Sequence, residues 1–335
     1  MKAIAYQQNL PIEDENSLQN IEINQPTASG HDILVEVKAI SVNPVDYKIR
    51  ASSPAPEGEW KVIGWDATGV VKAVGDNVTL FQPGDNVWYA GDLTRSGSNA
   101  EMQLVDERIV GNMPKSLSFS DAAALPLTSL TAWEMLFDRL DVSKSDSKKS
   151  ILVIGAAGGV GSIMVQLLKQ LTDLTIVASA SRAETVSWLE GLGADYIINH
   201  SNKLSDEFEK KNLAQVDYVV SLNNTDSHLV EIEKVIKPQG KFGLIDDPEV
   251  LDIMPFKVKA ISVHWELMFT RSLFKTEDMQ MQHDILNEMA KLIDDGLLKT
   301  TVGENFGEIN AKNLRKAHQF LETGKTKGKI VLAGF

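Results

Sequence analysis

Ile151-Leu152-Val153-Ile154-Gly155-Ala156-Ala157-Gly158-Gly159-Val160-Gly161 opens on a short, uncharged apolar run that suits a buried strand and closes on a cluster of glycines. Beyond the glycines, Ile163, Val165, Leu167 and Leu168 supply the apolar positions of a helix starting near Gly161. Thr175–Ser179 then reads as a second strand, about 20 residues after the turn. The glycine spacing fits a dinucleotide fingerprint, with Ala156 at the first glycine position, Gly158 at the second and Gly161 at the third. Gly158 lets the backbone approach a pyrophosphate at the helix N-terminus, and Gly161 lets helix and strand pack closely. Ala156, Ala157, Gly158, Gly159, Val160 and Gly161 are therefore candidate cofactor-binding residues. The alternative is a turn that serves the fold alone; the strand before, the helix after and the second strand favour a cofactor.

Outward from this unit the alternation of strands and helices continues. Tyr196–Ile198, Asp217–Leu222 and Lys241–Ile245 are further candidate strands, and a helix over Ala183–Leu192 stops at Gly193. The pattern predicts a doubly wound parallel sheet over residues 122–275. Residues 1–121 read instead as β-rich. Ile33–Val42 alternates apolar and polar residues, Ala67–Val74 does so more loosely, and Pro83-Gly84-Asp85 turns the chain into a strand through Trp88 and Tyr89. These features predict a small, partly open barrel. Residues 276–335 return to mixed structure, with helices around Asp284–Asp295 and Ala311–Thr323 and strands around Thr300–Phe306 and Lys329–Leu332.

Composition narrows the chemistry. At 335 residues two domains are expected. Lys and Arg number 33 against 46 Asp and Glu, a net charge of −13 that argues against a nucleic-acid or anionic-membrane surface. There is no cysteine, which excludes disulfides, thiolate catalysis, iron–sulfur clusters and thiolate zinc sites. Met1 to Tyr6 lacks the features of a secretory signal, and the long uncharged stretch from Ile151 to Leu168 is broken by glycines, so a cytoplasmic protein without a membrane span is expected.

At the end of the second strand an NAD enzyme usually presents an acid to the ribose hydroxyls, but the run here is Ala178-Ser179-Ala180-Ser181-Arg182. A carboxylate would repel a 2′-phosphate, whereas Ser181 and Arg182 can hydrogen-bond one, so NADPH is the expected cofactor. The alternative is that Arg182 is a solvated residue at a helix start.

Four segments carry a family resemblance: Asn43-Pro44-Val45-Asp46 with Lys48 and Arg50, Gly64-Trp65-Asp66-Ala67-Thr68-Gly69-Val70-Val71, Leu125-Pro126-Leu127-Thr128 with Thr131-Ala132-Trp133, and Ala156 to Gly161. With Gly328-Lys329-Ile330-Val331-Leu332 they span nearly the whole chain, which resembles a medium-chain dehydrogenase/reductase of the quinone oxidoreductase type. The resemblance implies an α/β fold in which a Rossmann doubly wound parallel sheet is inserted in a GroES-like β-barrel catalytic domain. Val263 to Ser272 resembles a branch often labelled zinc-type alcohol dehydrogenase-like. In zinc-dependent members the metal ligands fall at the positions of Asn43, Trp65 and Leu127 here, with Asp66 alone retaining an acid, so no metal site is expected.

Without a Lewis acid, hydride delivery to an already electrophilic acceptor is easier than alcohol oxidation. The resemblance therefore implies an NADPH-dependent reductase of quinones or α,β-unsaturated carbonyls. It makes Asn43, Tyr47 and Lys48 candidate donors to the developing oxyanion, and Trp65, beside Asp66, a candidate wall for a flat substrate. It places Thr128 and His264 near the nicotinamide, His200 on the adenosine side and Lys329 with the cofactor-binding set, and implies a homodimer. Each has a plain alternative: Asn43 fixing its loop, Tyr47 and Trp65 in the core, Lys48 and His200 at the surface, His264 packed. Two other functions use the same scaffold: an alcohol or aldehyde dehydrogenase-reductase with an unrecognised metal, and an NADPH-binding sensor or interaction protein.

Overall fold

The alternation along Ile33–Val42 belongs to a strand of 11 residues, Asp32–Val42, which is long because three other strands pair with it. The computed structural model of the chain describes residues 1–143, 145 and 147–335. In chain order the first unit holds β1 (Lys2–Tyr6), β2 (Gln19–Glu22), β3 (Asp32–Val42), helix α1 (Pro44–Ser52), β4 (Lys61–Val62), β5 (Ala67–Val74), β6 (Asn86–Tyr89), β7 (Met102–Asp106), β8 (Val110–Asn112) and helix α2 (Phe119–Ala123). Helix α3 (Pro126–Trp133) leads into the second unit, with β9 (Ser150–Ile154), α4 (Gly159–Leu171), β10 (Thr175–Ser179), α5 (Ala183–Leu192), β11 (Tyr196–Ile198), α6 (Leu204–Lys210), β12 (Val216–Ser221), α7 (Thr225–Val235), β13 (Ile236–Leu244) and β14 (Ser262–Trp265). The chain then returns to the first unit through α8 (Thr270–Phe274), α9 (Met281–Asp294), β15 (Val302–Asn305), α10 (Ala311–Glu322) and β16 (Lys329–Ala333).

The units comprise residues 1–130 with 269–335, and 131–268. These limits differ by nine and seven residues from the 121/122 and 275/276 boundaries read in the sequence. Helix α2 packs on β3, β5 and β16, which draws it and the start of α3 into the first unit. Phe269, buried against Trp65, does the same at the other end.

The register of the first unit's main sheet positions its polar residues. β16 runs antiparallel to β3 with Ile330 opposite Val42, and β5 runs antiparallel to β3 with Ala67 opposite Ile40. The residues flanking those pairs, Lys329, Asn43 and Asp66, are thereby brought to one end of three adjacent strands.

The second unit is a parallel sheet in the order β11-β10-β9-β12-β13-β14, which is 3-2-1-4-5-6 in chain order and makes the unit doubly wound. Leu152, Ile154, Val219, Phe242 and Leu244 line its core, as expected for strands buried on both faces. Gly193 ends α5 in the left-handed region, at the place the sequence predicts. Among the described residues, no helix is long and apolar enough to cross a membrane.

Candidate functional site

In the second unit the apolar run becomes β9, and the chain turns through Gly155 at φ +76, where a Cβ would stand 2.4 Å from Asn223 Oδ1. The turn thus requires glycine at Gly155, one residue before the position the fingerprint reading gives to Ala156. Gly161 has the expected packing role, since a Cβ there would lie 2.4–2.6 Å from Ala156 backbone atoms. A Cβ on Gly158 would meet only Gly155 O, at an ordinary 3.5 Å, so the protein itself does not demand glycine there; an approaching ligand would. The first bond of the helix is Ser162 N–H to Gly158 O, which leaves the N–H groups of Gly159, Val160 and Gly161 ahead of it. Open space over Gly158 beside unpaired donors at the positive end of α4 fits a pyrophosphate.

At the end of β10, Ser181 is exposed and Arg182 starts α5, its guanidinium 2.8 Å from Glu184. Both line a cavity of about 450 Å³ together with Tyr196 and Asn199. The Arg182–Glu184 pair is solvated and weak, so it would yield readily to a phosphate. His200, just past β11, has Nδ1 3.0 Å from Ser179 Oγ, which in turn accepts the Gly155 N–H at 3.2 Å. The ring of His228 lies 6.3 Å from that of His200. His264 stands at the other end of the sheet, on β14, with Nε2 3.0 Å from Ser262 Oγ.

The first unit holds a buried polar network. Lys329 is 4% exposed, and its ammonium donates to Val42 O at 3.1 Å, to Asp66 Oδ2 at 2.8 Å and to Asn43 Oδ1. Asn43 Nδ2 donates to the same Asp66 oxygen at 2.8 Å and to Trp65 O at 3.3 Å. The other Asp66 oxygen accepts the N–H of Leu127 at 2.7 Å, in the first turn of α3, where a negative charge also opposes the helix dipole favourably. Burial pushes the Asp66 carboxyl up; Lys329, Asn43 and Leu127 work against it. Asp46 completes the cluster. One of its oxygens accepts the Asn43 N–H at 2.5 Å and the other is buried without a partner, and burial pushes its pKa up to about 7.

Of the candidate donors, Asn43 is wholly engaged in this network, Tyr47 is half-buried and Lys48 exposed. Trp65 is 1% exposed, its indole N–H donating to Asp92 O at 3.3 Å and its ring edge-on to Phe269 at 6.5 Å. The Thr128 hydroxyl turns back to Leu125 O at 3.1 Å. The metal-ligand positions of the zinc-dependent members do not fit a metal here. Asn43 and Asp66 are spent on Lys329, Trp65 and Leu127 are apolar, and among the described residues no group of three or more His, Asp or Glu side chains could hold an ion.

Asp46, the Leu127 N–H, Ser179 and His228 were missed by sequence reasoning. Asp46 had a signal, three residues after Asn43 at a helix start, as in a capping box. The others had none, because their partners are distant in sequence.

Fold and fingerprint together define a dinucleotide-dependent oxidoreductase. Residues 29–126 match the family described as alcohol dehydrogenase GroES-like domain, and residues 192–332 the family described as zinc-binding dehydrogenase. A zinc-type alcohol dehydrogenase-like protein of Staphylococcus aureus (strain MRSA252) is 41% identical over 99% of both chains. The 2-methylene-furan-3-one reductase of Solanum lycopersicum is 29% identical over 92% of this chain and 73% of its own. Among solved structures, a Rhizobium etli CFN 42 protein provisionally called a zinc-dependent alcohol dehydrogenase has a TM-score of 0.97 and 54% identity, covering 100% of this chain and 98% of its own. Escherichia coli quinone oxidoreductase, solved with NADPH, shares the fold at a TM-score of 0.84 and 23% identity, over 99% of this chain and 100% of its own. The chain belongs to the medium-chain dehydrogenase/reductase superfamily, within its zinc-type alcohol dehydrogenase-like proteins.

Proposed function

We propose that the protein is an NADPH-dependent reductase of quinones or α,β-unsaturated carbonyls that works without a zinc ion. The observation that carries this reading is the Lys329 ammonium, bonded to Asn43 and Asp66 at two of the positions that correspond to the metal-binding segments of zinc-dependent relatives. A buried cation already compensates Asp66, so a metal would have to displace it and leave a second positive charge in a closed site. The similarity to an enone reductase of tomato supports the acceptor class.

When bound, the dinucleotide supplies a hydride. The chain's own tasks are to hold the pyrophosphate at α4, to read the ribose with Ser181 and Arg182, and to steady negative charge that develops on the acceptor oxygen. Tyr47 and Lys48 are the donors for that last task, because Asn43 has no proton to spare. Lys329, Asp66 and Asp46 act as positioning residues: they fix the start of α1, from which Tyr47 and Lys48 project.

Steady-state oxidation of NADPH against quinones, short enones, aldehydes and alcohols, with and without a strong chelator, tests the reading. The expected outcome is turnover of quinones or enones far above that of alcohols, unaltered by the chelator. Primary alcohols as best substrates, or activity lost to the chelator and restored by zinc, would overturn it.

A further inference from the structure

Ser179, Arg182, His200 and His228 gather where β10 ends, the place at which a doubly wound sheet reads the cofactor ribose. A path of hydrogen bonds joins the phosphate turn to this group. The Gly155 N–H donates to Ser179 Oγ at 3.2 Å, and Ser179 Oγ stands 3.0 Å from His200 Nδ1. When the Ser179 hydroxyl donates to Nδ1, neutral His200 keeps its single proton on Nε2, so that edge of the ring is a donor. A second proton would make His200 a cation while leaving Ser179 Oγ a lone pair to accept from Nδ1.

The charges facing this pair come from four elements. Arg182, at the start of α5, acts on His200, as does His228 on α7; Asp226 on α7 and Asp246 after β13 act on His228. Glu184 on α5 offsets part of Arg182, and Glu207 on α6 is committed to the Asn199 N–H and the Asn202 amide. Burial, then His228, then Arg182 hold His200 below the usual histidine range, and burial holds His228 low as well. The free protein therefore carries two neutral imidazoles beside a guanidinium at neutral pH. A doubly charged phosphate brought to that spot reverses the balance, since an anion near an imidazole favours its protonated form.

We propose that His200, with His228 behind it, is a specificity-determining part of the 2′-phosphate site: binding of NADPH draws a proton onto the pair and binding of NADH does not. The preference for NADPH then strengthens as pH falls through the histidine range. This rests on the NADPH reading above. It also has a sign that the cofactor alone cannot give, because a phosphate monoester loses charge near pH 6 and would bind a fixed cation less well there.

Dissociation constants for NADPH and NADH, read from quenching of tryptophan fluorescence at pH 8.0, 7.25 and 6.5, test the proposal. The ratio KdNADH/KdNADPH is expected to rise about three- to tenfold from pH 8.0 to 6.5. It should stay flat or fall in His200→Gln, with a weaker rise in His228→Gln. Calorimetry of wild-type protein in two buffers of different ionisation enthalpy should show proton uptake on adding NADPH and none with NADH, a readout that needs no variant to fold. A ratio near one at every pH would refute the NADPH reading itself. NADPH preferred equally at all three pH values, no proton uptake, or a rise that persists in His200→Gln would overturn the histidine proposal and leave that reading standing.

Discussion

His318 is the least exposed to water of the protein's histidines. It lies on α10 with no solvent exposure, and neither ring nitrogen has a hydrogen-bond partner. Burial, with the Arg50 charge adding, pushes its pKa down to about 3. The unfolded chain would take up a proton near pH 6.5, so stability is lost as pH falls below that value, by about 2 kcal/mol at pH 5. Asp46 works in the opposite direction. Raised to about 7, it holds a proton that the unfolded chain releases near pH 4, so its contribution is complete below pH 4 and is lost as pH rises to 7. Between pH 4 and 6.5 the contributions of His318 and Asp46 oppose each other. His318→Leu removes one of them. Its melting temperature is expected to exceed wild type at pH 7.5, where two orphaned nitrogens are relieved, and by several degrees more at pH 5. An equal gain at both pH values in thermal melts would mean that the ring is not held neutral.

At the scale of elements, the proposed reading assigns the cofactor ribose to the connection from β10 into α5. On the NADPH reading proposed above, Arg182 would offer a 2′-phosphate charge-assisted bonds, each contributing on the order of 1.5–3 kcal/mol, so Arg182→Ala should weaken NADPH roughly ten- to a hundredfold. NADH affinity should scarcely change. Equal loss for both cofactors in parallel titrations would return Arg182 to a structural role at the helix start. This element was legible in the sequence because its signals are local: an apolar run, a glycine turn and a missing acid lie within some thirty residues of each other. The same holds for Thr175–Ser179, Tyr196–Ile198 and Ala183–Leu192, whose limits match the structure. Where the signal is not local, reading stops. Glu134–Arg139 winds as a π-helix that no period in the sequence announces, and Lys329 meets an aspartate 263 positions away only through the register of β16 and β5 on β3. Resemblance implies a cofactor residue at Lys329, whereas its partners within the first unit come from strand pairing, which composition cannot encode.

For the whole molecule, the feature that bears on assembly is the far edge of the parallel sheet. β14 closes the strand order, and along it and its approaches Val258 is 91% exposed, Met254 68%, Trp265 53% and Leu267 51%. An edge strand presents unpaired N–H and C=O groups and is ordinarily blunted by charge, yet this one ends in Val263-His264-Trp265. Two copies each carrying −13 repel at long range, so association would have to come from apolar burial and edge pairing at short range rather than from the global field. We therefore expect a homodimer in which the β14 edges of two copies meet, with a mass by light scattering of twice the 36.8 kDa of the chain. Because its partner surface is apolar, the dimer should persist from low to high salt. Trp265→Lys should shift the protein toward monomer and carry less apolar surface away from water, while the His200 and Arg182 variants should leave the mass unchanged. A wild-type mass of one chain at micromolar concentration would remove the dimer, and a dimer untouched by Trp265→Lys would move its interface to another face.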